Sequence, residues 1–164
     1  MTTLAVRKAR LADVPEIAAL VDGYAREQKM LARSIEQVTL TLDDYLVAID
    51  AHGRIRACGA LCEYSPSVAE VASIAVARDA QGCGLGRHMV QAVESLARRR
   101  GYGDVFLITV CPTFFATLGY AVVDRALYPE KVCGHALSLA ACDVCEKLCM
   151  WRAVHRVTQA RDAA

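Results

Sequence analysis

The sequence predicts a single mixed α/β domain, and three observations carry that expectation. Short apolar runs alternate with turn-rich segments, two longer stretches repeat their apolar residues at helical spacing, and a glycine-rich junction joins a strand-like run to a helix-like one. At 164 residues and 55% hydrophobic content, residues 1–164 hold core enough for one domain.

Taken in order, Leu4 to Lys8 reads as a first strand. Asp13 before Val14-Pro15-Glu16 predicts an N-cap with proline in the first turn, and Ile17, Leu20, Val21 and Tyr24 extend a helix to about Lys29. Ser34 followed by Gln37 is a capping-box pattern for a second, shorter helix. Tyr45 to Ile49 and Ile55 to Tyr64 flank Asp50-Ala51-His52-Gly53-Arg54, which predicts a hairpin, and Val68 to Ala77 continues it as a fourth strand. From Arg87 to Arg100 a helix buries Met89, Val90, Val93 and Leu96. Its last turn carries Arg98, Arg99 and Arg100, where cations oppose the negative dipole end, before Gly101. Val105 to Val110 then runs parallel to the fourth strand, because a helix crosses between them. Pro112 stops it, and further strands are expected at Tyr120 to Val123 and Lys147 to Val154.

Lys and Arg number 19 against 18 Asp and Glu, so charge favours neither nucleic acid nor an anionic membrane as partner. The first residues have too short an apolar stretch for a signal peptide, and no run approaches the ~20 apolar residues of a membrane span. Eight cysteines without an export signal fit a reducing compartment, so the expected location is cytoplasmic.

The most informative stretch is Gln81-Gly82-Cys83-Gly84-Leu85-Gly86, between an apolar run and a helical pattern. Glycines there let the backbone turn sharply and approach a ligand, and the first amides of a helix attract an anion. A phosphate-bearing cofactor is the natural reading. A P-loop would close with Lys-Ser/Thr, where Arg87-His88 stands here. A dinucleotide fold wants an acid ending the next strand, whereas Asp104 begins it.

Gln-x-x-Gly-x-Gly in this setting resembles the pyrophosphate loop of the GNAT N-acetyltransferases. Glu70, eleven residues before Gln81, and Phe114-Phe115-Ala116-Thr117-Leu118-Gly119-Tyr120 resemble two further features of that family. The resemblance implies acetyl-CoA as cosubstrate and a mostly antiparallel mixed sheet with helices on both faces. Its parallel fourth and fifth strands would splay to admit pantetheine. Cofactor contacts are then expected from Gln81, Gly82, Cys83, Gly84, Leu85, Gly86 and Arg87, and from backbone near Ile74, Ala75 and Val76. Arg98–Arg100 carry a lesser expectation of a 3′-phosphate contact. Glu70 is implied as general base, and desolvation makes a carboxylate more basic. Many members carry a tyrosine acid four residues before the helix-ending glycine. That position is Phe115 here, with Tyr120 expected in the core and Cys111 a remote alternative.

Met30-Leu31-Ala32-Arg33-Ser34, Cys58-Gly59-Ala60-Leu61, Ala69-Glu70-Val71-Ala72 and Tyr128-Pro129-Glu130-Lys131-Val132 further resemble the acetyltransferase domain of bacterial N-acetylglutamate synthases, short forms especially. This implies an amino-acid acceptor, L-glutamate first, with Arg33 and Lys131 as cations for its carboxylates. Two departures keep another amino acid open: the family's lysine after Ala-Leu is Cys62, and its C-terminal Arg-Asn-Ser has no counterpart. Another primary amine, or a non-catalytic acyl-CoA sensor, remain alternatives, and a homodimer is a further expectation. The cysteine-rich segment 133–149 holds Cys133, Cys142, Cys145 and Cys149, read as ordinary thiols before a zinc site or redox pair. Cys58, Cys62 and Cys83 are expected to be small packing residues.

Overall fold

The computed structural model describes residues 4–129 and 147–155. Seven strands form one sheet in the order β1-β2-β3-β4-β5-β7-β6. β1 (Ala5–Lys8), β2 (Tyr45–Ile49), β3 (Ile55–Glu63) and β4 (Val68–Val76) make an antiparallel meander. β5 (Asp104–Thr109) runs parallel to β4, and β7 (Leu148–Ala153) lies antiparallel between β5 and β6 (Ala121–Val123). The parallel step follows from α3 (Leu85–Arg99), which carries the chain back across the sheet.

Helices cover both faces, as expected. On one, Met89, Val90, Val93 and Leu96 of α3 pack on Leu46, Ala57, Leu61, Val71 and Leu107. On the other, Ile17 and Val21 of α1 (Val14–Ala25) and Val38 of α2 (Ile35–Leu40) pack on Val47, Cys58, Ala60 and Ala75. A third cluster joins Phe106, Tyr128 and Cys149, with the Phe106 and Tyr128 rings stacked at 3.8 Å.

Three local expectations are corrected. Asp13 does not cap α1 through its side chain. Its carboxylate takes the Arg7 guanidinium at 2.6 and 3.0 Å and the Arg10 amide at 2.7 Å, which closes the preceding 3-10 turn instead. The Arg7 bond holds that carboxyl below the usual carboxylate range. Helix α1 ends at Ala25 rather than near Lys29, because Gln28 takes φ +58° and the Lys29 amide turns back to the Tyr24 carbonyl at 3.1 Å. Helix α3 begins at Leu85, two residues before the expected Arg87, directly on the glycine loop. The capping box of α2 forms as read: Ser34 Oγ accepts from the Gln37 amide at 3.2 Å, and Gln37 Oε1 from the Ser34 amide at 2.9 Å.

Strand β4 is bulged. Cys58 faces Ala75 while Ala60 faces Ala72, so two steps on β3 oppose three on β4. The extra residue is placed by Ser73 at φ +52°. Val71 and Ile74 therefore both pack towards α3, and Ala72 and Ala75 both face α1. The Cys58 thiol donates to the Ser73 carbonyl at 3.4 Å, giving the displaced oxygen a weak partner inside the core. Opposite the bulge, a Cβ on Gly59 would lie 2.7 Å from Ile74 Cδ1 and 3.0 Å from Val93 Cγ2. Gly59→Ala is therefore expected to cost about 1–3 kcal/mol through overpacking, read as a lowered midpoint in thermal or urea denaturation. Unchanged stability would mean that the bulge yields freely.

Candidate active site

The site begins where β4 and β5 part. The two strands pair only at Val68–Asp104, Ala69–Val105 and Glu70–Phe106. Beyond Glu70, β4 keeps β3 as neighbour as far as Val76, and β5 keeps β7 as far as Thr109. The edge of β4 over Val71–Val76 is thus open towards β5, and a cavity of about 630 Å³ occupies the gap.

The glycine loop forms one end of this cavity. Gly82 and Gly84 have φ +77° and +83°, and a Cβ on either would meet nothing within 4 Å. Glycine is required at both for backbone conformation rather than for space. Gly84 caps α3 without a side-chain bond, and no acidic residue stands in the first turn. The opening amides of α3 therefore suit an anion, and the residues present fit a diphosphate. Gly86 differs: its Cβ would come within 3.4 Å of Phe114 Cζ and 3.7 Å of Val76 Cγ2, so glycine there lets α3, α4 (Pro112–Ala116) and β4 converge.

Of the residues expected to touch the cofactor, Ile74, Val76, Gln81, Gly82, Gly84, Leu85, Gly86 and Arg87 line the cavity. Ala75 and Cys83 are not among them. The bulge turns Ala75 into the α1-side core, where it is 1% exposed, and Cys83 points outward with its thiol donating to the Ala80 carbonyl at 3.0 Å. Cys83 is therefore no packing residue, whereas Cys58 is, at 0% exposed. Arg98 and Arg100 sit at the far end of α3, roughly 20 Å from the loop by helix rise. Arg100 holds Asp44 Oδ1 and the Asp43 carbonyl, each at 2.7 Å, and Arg98 reaches the Val154 carbonyl.

Glu70 lines the cavity at the fork and is buried, with Cys62 across β3 and Phe106 across β5. A solvent-facing strand position is ruled out. Arg33, just before the Ser34 cap, is half-buried on the cavity wall. Burial pushes the Tyr45 phenol up, against the pull of its Ser73 hydrogen bond and of nearby Arg33. Lys131, Cys133, Cys142 and Cys145 lie outside the described residues. Cys149 is buried in β7, and desolvation pushes its thiol up to about 11. Two cations on the cavity wall escaped sequence reasoning, Lys29 after α1 and Lys147 just before β7. No local pattern could flag them, because each reaches the cavity through non-local packing. Phe115 and Phe114 form an apolar wall with rings edge-on at 5.0 Å, and Tyr120 packs behind Phe115 at 5.6 Å, in the core as expected. Cys111 is exposed on the same wall.

Comparison with known proteins places this geometry. The pattern described as the acetyltransferase (GNAT) family matches residues 12–135. An uncharacterized N-acetyltransferase of Chlorobaculum tepidum is 35% identical over 84% of this chain and 90% of its own length. An amino-acid acetyltransferase of Mycobacterium tuberculosis is 31% identical over 73% of this chain and 69% of its own. Among solved structures, N-acetylglutamate synthase from Neisseria gonorrhoeae, complexed with coenzyme A and N-acetyl-glutamate, superposes with a TM-score of 0.82 over 95% of this chain at 23% identity. This chain spans 36% of that protein. Among the described residues, no helix is long and apolar enough to cross a membrane.

Thiol accessibility offers a direct check on the cavity. Exposed Cys83 and Cys111 are expected to alkylate readily, while buried Cys58, its thiol pushed up to about 12, and Cys149 resist. Added CoA is expected to protect Cys111 and leave Cys83 reactive, as peptide mass spectrometry would show. Protection of Cys83 alone would move the ligand outside the cavity.

Proposed function

The chain belongs to the acetyltransferase (GNAT) family, and on that footing we propose that it acetylates the α-amino group of an amino acid, with L-glutamate as the acceptor. Acetyl-CoA-dependent N-acetyl transfer is the reaction of the family. The observation that carries the narrower reading is the charge of the cavity wall: Arg33, ahead of α2, and Lys147, just before β7, line the same space as Glu70 of β4. Two carboxylates and one ammonium fit that arrangement, whereas a polyamine would meet like charge.

Acetyl-CoA supplies an activated acetyl thioester, and the chain's own residues do the rest. Loop amides and the first turn of α3 hold the diphosphate. The open edge of β4 offers backbone groups to pantetheine and a donor for the charge that grows on the thioester oxygen. Glu70 takes the proton of the acceptor ammonium, directly or through water, so that the free amine can attack. Arg33 orients a carboxylate through paired hydrogen bonds, and Lys147 serves as the second cation in a chain that has Cys62 where its relatives' pattern has lysine. This support comes from charge and placement, together with the amino-acid acetyltransferases among the relatives. With glutamate, the reaction is the entry step of arginine biosynthesis.

A panel of amino acids with acetyl-CoA, followed by thiol release, is expected to place glutamate well ahead. An even response, or preference for a cationic amine, would overturn the assignment. Glu70→Gln is expected to lower kcat by about 10²–10⁴ while CoA affinity holds. Full turnover in that variant would remove Glu70 as the base. Lys147→Met is expected to raise the KM for glutamate about tenfold or more, the loss of one charge-assisted hydrogen bond, with little change for acetyl-CoA. An unchanged glutamate KM would take Lys147 out of the acceptor site.

A further inference from the structure

Tyr24, near the end of α1, is not part of the glycine loop, yet it touches the loop's first residue and the segment that leads into it. Its hydroxyl donates to the Val76 carbonyl at 2.6 Å and accepts from Gln81 Nε2 at 2.5 Å. The Arg78 guanidinium lies over its ring, 4.4 Å from the centroid, and pairs with Glu27 one turn further on. Glu27 in turn holds Lys29 Nζ at 2.7 Å, and the Lys29 amide returns to the Tyr24 carbonyl at 3.1 Å. Tyr24, Val76 and Gln81 line the cavity beside Lys29.

We propose that Tyr24 is a positioning residue for the cofactor: its hydroxyl fixes the orientation of the Gln81 amide and holds the end of β4 against the glycine loop. The reasoning is an inventory of protons. A phenol has one to give, and it goes to Val76. Towards Gln81 the oxygen is an acceptor only, so Gln81 presents its NH₂ to Tyr24. One N–H is used there, and the amide can no longer flip, so its orientation beside the loop is fixed. The Val76 carbonyl, at the last residue of the open strand, is held by the same group. Tyr24 thus joins the two surfaces expected to grip the diphosphate and pantetheine, and it does so from the segment that leads on to Arg33.

This inference rests on the reading of the loop as a CoA site, and the experiment separates the two. CoA binding is measured by calorimetry on the intact protein, Tyr24→Phe, Gln81→Ala and the double variant, with melting curves for each. Tyr24→Phe keeps the ring beneath Arg78, so the fold is expected to melt as the parent does, while CoA affinity falls about fivefold to tenfold. Gln81→Ala is expected to lose a similar factor, and the double variant no more than the larger single loss, because both variants remove the same Tyr24–Gln81 bond. Pantetheine, which lacks the diphosphate, is expected to show a smaller Tyr24→Phe effect than CoA. Three results would overturn the proposal: CoA affinity unchanged in Tyr24→Phe, losses that multiply in the double variant, or a lowered melting temperature with affinity intact. A parent protein that does not bind CoA would instead refute the loop assignment beneath it.

Discussion

At Glu70 the fourth strand gives up one of its two neighbours. Upstream it is hydrogen-bonded on both sides; downstream only β3 remains, and its other edge faces a cavity. Backbone amides and carbonyls left without a strand partner form a recognition surface that needs no particular side chain. The rest of the molecule can be read as what holds that gap open. Helix α3 packs Met89, Val90 and Val93 under β3 and β4, while β7 pairs with β5 along its length and draws it the other way. An ion pair between the buried Glu94 of α3 and the part-exposed Arg152 of β7, at 3.1 Å, ties these two supports together, and the same guanidinium donates to the Leu118 carbonyl. Removing Arg152 would strand the Glu94 carboxylate in the core.

The bulge at Ser73 decides which side chains meet the gap. Without the added residue, strict alternation from Val71 would carry Ile74 and Val76 to the α1 face and Ala75 to the α3 side. With it, Ile74 and Val76 join the cavity wall and Ala75 withdraws. A conformation with φ +52° on a serine is unfavourable in isolation, and the neighbours enforce it: Gly59 leaves room across the ladder, and the Cys58 thiol and Tyr45 hydroxyl meet the displaced group.

Much of this frame was legible in the sequence. Strand β2 and the hairpin followed from apolar runs on either side of a turn, α3 from its apolar spacing, and the parallel step from the helix between two strands. The fork itself was implied by a resemblance, since no periodicity encodes where two strands part. Elements went astray where a side chain took a distant partner. Asp13 has the composition of a cap, but Arg7 on β1 claims its carboxylate. Gln28 gives no warning of a left-handed turn, as asparagine or glycine would have. Which side chains near Ala75 face the gap could not be read from alternation, because the bulge inverts the facing. Lys29, Lys147 and Tyr24 were invisible for one reason: their meaning lies in packing around a cavity built from distant segments, as with Tyr24 and Val76 at a separation of 52.

The Phe115 ring carries a consequence for the choice of acyl donor. Where the family pattern often has a tyrosine, Phe115 presents a hydrocarbon ring, edge-on to Phe114 and backed by Tyr120. On the proposed reaction, sulfur departs as an anion and collects its proton from water afterwards. That is tolerable for a thiol, whose acidity near ~8.5 makes the bare anion accessible at neutral pH. An alkoxide is a far poorer leaving group, and Phe115 has no proton to help it depart, so on this reading the site suits sulfur esters better than oxygen esters of the same shape.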